Sequence, residues 1–577
     1  MEGLETSFQV LHPQRRNPKW YVHIADFANM LKAFIGSNYL SIAFAFHQSG
    51  LVPGVVCLVL IAIVTDHCCH MIVKCKYKAI DVVVDTQLQG EPGITNAGDI
   101  VIENALSVEI REKLLRNLSY GDVGKIIYGK CGLYYVNFCL FITQFGFCVA
   151  YFIFVGNTIR AIFPFHMCNL INSTYVCGGN RQTFNHNYNF PSTQDAQSGR
   201  NNSLASSGRH VYEADPGADS HSVLDFVELD KNTTGLNVTN ITTISTSILT
   251  STAPSLMLLV LLPLPVFIGF SYVRNVRHLG AISVWANISI LLGAIAVMIY
   301  LVADFSVSSS FRLYNWAELP IFFGLVTSAF EGIGTIIPIE SSMEGNRHNF
   351  GAFLHGAVGC LSFVLLAFGI LGYLKFGEST NQMINTNIPS TSWVGIAVNI
   401  CLCIGVILTF PLQIYPVIEL AEIYTFADGK CCGPKKVTPP KNADDYGSEG
   451  YGGSEYTDQD ALLPSSSSST SPVPVATVIS REVSTLKRNV MRMFIVLTAA
   501  GLAVLFRDKF AYIGAFTGAI GSSALAYILP CLFYIKLCGP TMPWYVKAKN
   551  IIIIIMGISC SVISLYSTIR NLVDGKK

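Results

Sequence analysis

Charge is scarce in this chain. Of 577 residues only 13% are Asp, Glu, Lys or Arg, while 51% are hydrophobic; a soluble domain carries roughly 25% charged residues. That supply cannot clothe a water-soluble body of this size, which excludes an ordinary soluble enzyme. A basic field is lacking too. With 38 Lys and Arg against 37 Asp and Glu, the net charge is +1, which excludes a nucleic-acid partner that depends on such a field. No spacing suggests a metal site, and no nucleophile–base set marks an enzyme. The opening stretch is polar and has no small-residue cleavage site, so no cleavable leader is expected.

Long apolar runs are what the chain does have. A hydrocarbon core about 30 Å thick needs roughly 20 apolar residues in helix, because backbone polar groups must be satisfied within the segment. Eleven blocks qualify, at 26–47, 53–73, 132–159, 255–272, 279–302, 320–339, 353–374, 393–416, 489–506, 511–535 and 550–569. The ninth is the weakest, and Arg488 and Arg492 are placed to lengthen it by snorkelling. The expected fold is an all-α polytopic membrane protein with eleven transmembrane helices.

Positive charge marks cytoplasmic loops. Arg15, Arg16 and Lys19, then Lys74, Lys76 and Lys78, Arg274 and Arg277, Arg347, Lys430, Lys435 and Lys436, and Lys536, Lys547 and Lys549 share one side if the N-terminus is cytoplasmic. Fewer charges oppose this: Arg160, Lys375, Arg507 and Lys509. The chain then divides into a cytoplasmic tail (1–25), helices 1–3 with a cytoplasmic loop (26–162), a long external or luminal loop (163–254), helices 4–8 (255–426), a disordered cytoplasmic loop (427–484), and helices 9–11 with a short tail (485–577). The external loop holds sequons at Asn172, Asn201, Asn232, Asn237 and Asn240, a concentration that points to glycosylation. It also holds Cys168 and Cys177, which an oxidising compartment permits to pair. The other cysteines read as small apolar packing. In the Ser-rich cytoplasmic loop, Asp458 stands four residues before Leu462 and Leu463. This spacing is either an adaptor-read sorting signal to endosomes or lysosomes, or a chance match.

Transport folds built from inverted repeats bind their solute where helices break, at equivalent positions of the two halves. The first block carries Gly36, Ser37 and Asn38; the sixth carries Ser328, Phe330, Glu331, Gly332 and Gly334. Helices one and six open two five-helix halves, so the expectation is a five-plus-five inverted repeat with both helices broken and the eleventh extra. Freed amides at a half-helix N-terminus suit a carboxylate, and freed carbonyls suit an ammonium group; together they recognise a zwitterion. Glycines alone equally allow close helix packing. Glu331 is the informative carboxylate: burial favours its neutral form, as a reversible proton carrier requires, and it can equally fix the broken helix by accepting amide bonds. His67 stands beside Asp66 near the end of the second block, where imidazole loads and releases protons near neutral pH, or simply pairs with its neighbour. Tyr151 and Thr409 are further pocket candidates, and Glu340 is expected to snorkel or cap at the end of the sixth helix.

The run Phe330-Glu331-Gly332-Ile333-Gly334, followed by Pro338, Glu340 and Met343, resembles the sixth-helix signature of proton-coupled amino acid transporters in the amino acid/auxin permease family. His67-Cys68, Thr143-Gln144-Phe145-Gly146, Gly372-Tyr373-Leu374 and Ser522-Ser523-Ala524 continue the pattern in order. The resemblance implies the same eleven-helix inverted-repeat fold, proton symport of small neutral amino acids by alternating access, and a proton-coupling role for His67. The chain departs from the family at Tyr39 and Ala43, and it lacks the external cysteine before helix eight, so a Cys168–Cys177 bridge would be a local substitute. No cofactor is expected beyond the proton as coupling ion; the partners expected are a small amino acid, membrane lipid and a sorting adaptor. The membrane is lysosomal, endosomal or plasma membrane. A sodium-coupled or exchange transporter of the same fold, and an amino-acid sensor signalling through its cytoplasmic loop, stand as alternatives.

Overall fold

The computed structural model describes residues 20–34, 37–88, 97–163, 165–171, 174–177, 222–224, 247–251, 253–274, 276–303, 305–343, 345–389, 393–426 and 484–574. Among these residues, eight helices are long and apolar enough to cross a membrane. They are α3 (Leu51–Leu88), α5 (Tyr120–Arg160), α8 (Val276–Val302), α11 (Phe350–Phe376), α12 (Trp393–Phe426), α13 (Thr485–Leu505), the continuous helix made of α14 (Phe510–Thr517) and α15 (Leu529–Cys538), and α16 (Trp544–Val573). Shorter apolar helices fill the remaining blocks. The first block is α1 (Trp20–Phe34) and α2 (Ile42–Ser49), the fourth is α6 (Leu256–Leu261) with α7 (Leu264–Ser271), and the sixth is α9 (Leu319–Ala329) with α10 (Ile336–Ser342). Between the second and third blocks lies α4 (Ala97–Asn117).

Several bounds move outward from those the apolar blocks suggest. The first helix starts at Trp20, six residues before the expected start of the first block at 26. The second apolar block ends at 73, but α3 continues to Leu88. Val73, Cys75, Lys76, Ala79, Ile80, Val83 and Val84 are buried there while Lys74 and Lys78 are exposed. That is a helical stripe facing a neighbour, and the neighbour is α4. Helix α5 opens with a capping box at Ser119 and Asp122, then kinks at Gly129, whose φ of 64° is open to glycine and costly for other residues.

The loop between α5 and α6 adds a feature absent from the all-α expectation. Strands β1 (Phe165–Ile171), β2 (Thr174–Cys177), β3 (Ser222–Leu224) and β4 (Ser247–Ser251) form an antiparallel sheet in the order β2-β1-β4-β3. Its register sets Cys168 directly opposite Cys177. Opposed Cα atoms in such a pair lie about 4.5–5.5 Å apart, within the span of a disulfide. The five sequon asparagines, and Asp458, Leu462 and Leu463, lie outside the described residues.

Arg488 and Arg492 lengthen nothing by snorkelling. Arg492 is 4% exposed; its Nε donates to Glu422 Oε1 at 2.7 Å and its NH1 to the Ser271 carbonyl at 2.9 Å. Arg488 donates to the other Glu422 oxygen at 2.6 Å. One cluster thus ties α13 to α12 and to the C-terminal carbonyls of α7, where orphan acceptors and the helix dipole both favour a cation. Breaking a buried pair from one side leaves an uncompensated charge. Arg492→Leu is therefore expected to lower stability by about 3–5 kcal/mol, and adding Glu422→Leu to recover most of it. Thermal unfolding of the purified protein in detergent measures both.

Candidate functional site

Two helix interruptions meet inside the bundle. Helix α9 runs to Ala329 and stops at Phe330, whose ψ of 61° leaves the helical region. A 3₁₀ turn follows at Glu331–Thr335 before α10 begins. On the other segment α1 ends at Phe34, and a 3₁₀ turn at Ser37–Ser41 leads into α2. Helix α2 packs on α9 and on α11, and the turn at Glu331–Thr335 packs on α1.

A hydrogen bond joins the two interruptions. The side-chain amide of Asn38 donates to the Ser328 carbonyl at 3.3 Å, with both residues buried. Ser328 lies in the last turn of α9, where intrahelical donors run out. Ser41 then donates to the Asn38 carbonyl at 2.8 Å, and its hydroxyl does not cap the first amides of α2. The C-terminal end of one half-helix and the N-terminal end of another are brought side by side. Their partial charges are opposite in sign.

Gly332 explains how the backbones come so close. A Cβ there would sit 2.8 Å from the Ala33 carbonyl oxygen and 2.9 Å from the Phe34 ring. On the far side, Gly518 meets the Gly324 carbonyl, so the tenth block presses on α9 with no side chain between them. Small residues at such contacts are the membrane-helix packing device. Directly after Gly518 the helix widens into π turns at Gly518–Ser522 and Ala524–Ile528, an irregularity frequent at functional sites.

Beside Phe330 and Gly334 lies a small cavity of about 10 Å³, lined further by Leu140, Thr143, Gln144, Ser522 and Leu525. It holds about one water. Gln144 Oε1 and Ser522 Oγ are buried next to it with no hydrogen-bond partner among the described residues. An orphaned buried polar group costs about 1–3 kcal/mol, so two lining one cavity mark a place where a polar guest is accommodated. Both stand in runs that carry the family resemblance, but the sequence alone gives neither a pocket role. The available signal is a pair of uncharged polar residues within a long apolar run, Thr143-Gln144 in one block and Ser522-Ser523 in another.

The sequence candidates fall out as follows. Asn38, Ser328, Phe330 and Gly332 are brought together and buried. Gly36 lies outside the described residues, as do the side chains of Ser37 and Glu331, although the backbone of Glu331 opens the turn after the break. Tyr151 is buried in α5, seven residues beyond Gln144 and so on the same helix face about 10 Å along. The Thr409 hydroxyl donates to Gly405 within its own helix at 2.7 Å. Tyr39 is 3% exposed and meets Phe368 edge-on at 5.2 Å, with its hydroxyl unpartnered among the described residues.

Two side chains behave otherwise than the sequence suggests. Asp66 does not pair with His67; both its oxygens lie 2.9 Å from His355 Nδ1 on α11. His67 Nε2 is buried with no hydrogen-bond partner among the described residues. Glu340 neither snorkels nor caps: at 1% exposed it accepts from Lys76 Nζ at 2.6 Å and from the Tyr77 hydroxyl. Lys76, itself fully buried, also donates to Ser341 Oγ at 2.7 Å and to the Leu115 carbonyl at 2.8 Å. This cluster pins α10 to α3 and α4. At the far end of the other broken segment, Glu378 takes His47 at 3.1 Å and Arg312 at 2.8 Å.

The profile of the family described as transmembrane amino acid transporter protein matches residues 24–88, 100–179 and 235–570. The chain is 25% identical to Amino acid transporter AVT3C of Arabidopsis thaliana over 410 residues, which is 70% of this chain and 71% of that protein. It is 22% identical over 408 residues to the proton-coupled amino acid transporter-like protein pathetic of Drosophila melanogaster, covering 70% of this chain and 65% of that protein. A shorter stretch of 172 residues, 29% of this chain and 25% of the other, is 30% identical to Vacuolar amino acid transporter 3 of Saccharomyces cerevisiae.

The close approach at Gly332 has a measurable consequence. In Gly332→Ala the added methyl meets a backbone carbonyl that cannot rotate away, whereas in Gly334→Ala it meets only the Leu140 side chain, at 2.9 Å. Gly332→Ala is expected to cost about 1–3 kcal/mol, the range for overpacking, and Gly334→Ala distinctly less. Thermal midpoints of the two variants against wild type test the difference.

Proposed function

This chain belongs to the transmembrane amino acid transporter family, and we propose that it carries small neutral amino acids together with protons by alternating access. It is an integral membrane protein with amino acid substrates rather than an enzyme. The single observation that carries the finer reading is the Asn38–Ser328 bond, which sets the end of α9 against the start of α2. A zwitterion fits between them, its ammonium toward the carbonyls of Ser328 and its neighbours and its carboxylate toward the N-terminal end of α2. Gly36 and Ser37 extend the carboxylate side. Tyr151 and Thr409, with Gln144 and Ser522, line the path of the side chain.

The eleven-segment, five-plus-five arrangement is part of this proposal. The eight long helices, the run from Leu256 to Ser271, and the two broken segments account for it. Each half of a broken segment is too short to cross alone: the 15 residues of α1 rise only about 22 Å. Glu331 carries the coupling proton at the break, and His67 is the second carrier, on the strength of the family resemblance. The N-terminus is cytoplasmic. In the external or luminal loop the sequons are glycosylated and Cys168 pairs with Cys177, supported by their cross-strand register. An endosomal or lysosomal membrane is favoured by the Asp458, Leu462, Leu463 signal and by a vacuolar relative.

Reconstituted into proteoliposomes, the protein is expected to accumulate labelled small neutral amino acids under an inward proton gradient, unchanged when choline replaces sodium. Uptake that follows sodium and ignores the pH gradient overturns the proton reading, and absence of any uptake favours the sensor. Glu331→Gln, which mimics the protonated form, is expected to abolish gradient-driven accumulation while retaining exchange of internal for external substrate.

The loop disulfide is checked separately. Peptide mapping without reductant should return the Cys168 and Cys177 peptides joined, and Cys168→Ser should release the other as a free thiol.

A further inference from the structure

Asp66 and His70 stand one helical turn apart on α3, a spacing that puts both on one face. Helix α11 brings a third group to that face: His355, whose Nδ1 lies 2.9 Å from each oxygen of Asp66. The His70 and His355 rings are 4.6 Å apart between centroids and inclined by 43°. One ligating atom from each of the three residues lies within 4.8 Å of the others. Ligands sharing a zinc ion at about 2.0–2.2 Å are separated by up to about 4 Å, so small side-chain rotations bring all three onto one centre. His70 Nε2 is buried and has no hydrogen-bond partner among the described residues, which leaves that ring without a structural bond at this nitrogen.

We propose that Asp66, His70 and His355 bind a divalent transition-metal ion of the zinc class, bridging α3 to the first turns of α11. Two imidazoles and one carboxylate are the donor set such ions favour. Three protein ligands leave a fourth position for water, and the His355 side chain, 62% exposed, gives the ion a way in. Phe350 packs edge-on against His70 at 6.1 Å, and Gly351 lies beside its Cε1, so the buried ligand is held in place by apolar neighbours. The opposing charge is Lys74, one turn further along α3; it is exposed and free to swing into solvent. The site is separate from the helix breaks and does not depend on the transport reading.

The test uses the full chain purified in detergent, stripped with chelator, desalted and titrated with Zn²⁺ under equilibrium dialysis. Co²⁺ is then substituted to read the d–d absorption of imidazole ligation. One ion per chain is expected. His355→Ala and Asp66→Asn should each weaken binding by at least about tenfold, the scale on which even outer partners of a ligand act. His348→Ala, which removes an exposed histidine outside the cluster, should leave binding unchanged. Because His355 is largely exposed, its replacement leaves the fold intact, and an unaltered thermal midpoint verifies that. The proposal is overturned if wild type retains no more zinc than the variant lacking all three groups, or if His355→Ala binds as tightly as wild type.

Discussion

Inside hydrocarbon a backbone carbonyl must find its donor within the protein, and the arrangement turns on how this chain meets that demand at Ser328. Ser328 lies in the last turn of helix α9, in the middle of an apolar segment, and the donor comes from Asn38 on a segment 290 residues away. An unbroken helix would have needed no such partner. The bond is thus the consequence of a break and also the feature that fixes where the opposite break must lie. Gly332 against Ala33, and Gly518 against Gly324, let the backbones approach closely enough for it to form.

Around this soft centre the outer ends of the broken segments are held by charge. Lys76 and Glu340 are both within about 1% of complete burial, and each is satisfied by further polar groups: Ser341, the Leu115 carbonyl and Tyr77. A buried pair is weak grounds for added stability, but removing one partner is expensive, so such clusters specify position. Glu422 with Arg492 and Arg488 plays the same part for α12 and α13. The ends are pinned by ionic contacts, and the middle, among the described residues, by the neutral Asn38–Ser328 hydrogen bond. That contrast identifies the middle as the part with the lower cost of rearrangement.

Much of this was legible in the sequence. Each long helix is announced by an apolar block, and the paired interruptions by glycine and small polar residues at matching places. What the sequence could not supply was partnership across the fold. Arg492 looks like a snorkelling end residue until Glu422 is brought opposite it. Asp66 is next to His67 in the chain, yet successive helical residues point about 100° apart, and its partner proves to be His355. Gln144 and Ser522 enter the sequence only as pieces of a family pattern; their meeting beside Phe330 is what points to a pocket. Strands β1 to β4 were hidden because they are short and lie in a loop with no sustained alternation.

The size of the cavity bears on how the proposed cycle must run. A volume of about 10 Å³ beside Phe330 admits water but no amino acid, so binding requires the two breaks to part. Parting them sacrifices the Asn38–Ser328 bond, worth about 0.5–1.5 kcal/mol net, and leaves the adjoining helix ends needing partners. A zwitterion supplies those partners. Hydrogen bonds to charged groups are worth about 1.5–3 kcal/mol each, so one at each end of the solute yields a total of about 3–6 kcal/mol. Reversing a two-state population from 1:99 to 99:1 takes about 5.5 kcal/mol of differential affinity. The two charged ends of the substrate can therefore nearly drive the opening by themselves, without disturbing the ionic pins at Glu340, Glu378 or Glu422. A neutral solute of the same size lacks that energy, and so the need to replace a backbone bond with charged groups is itself a selectivity for amino acids.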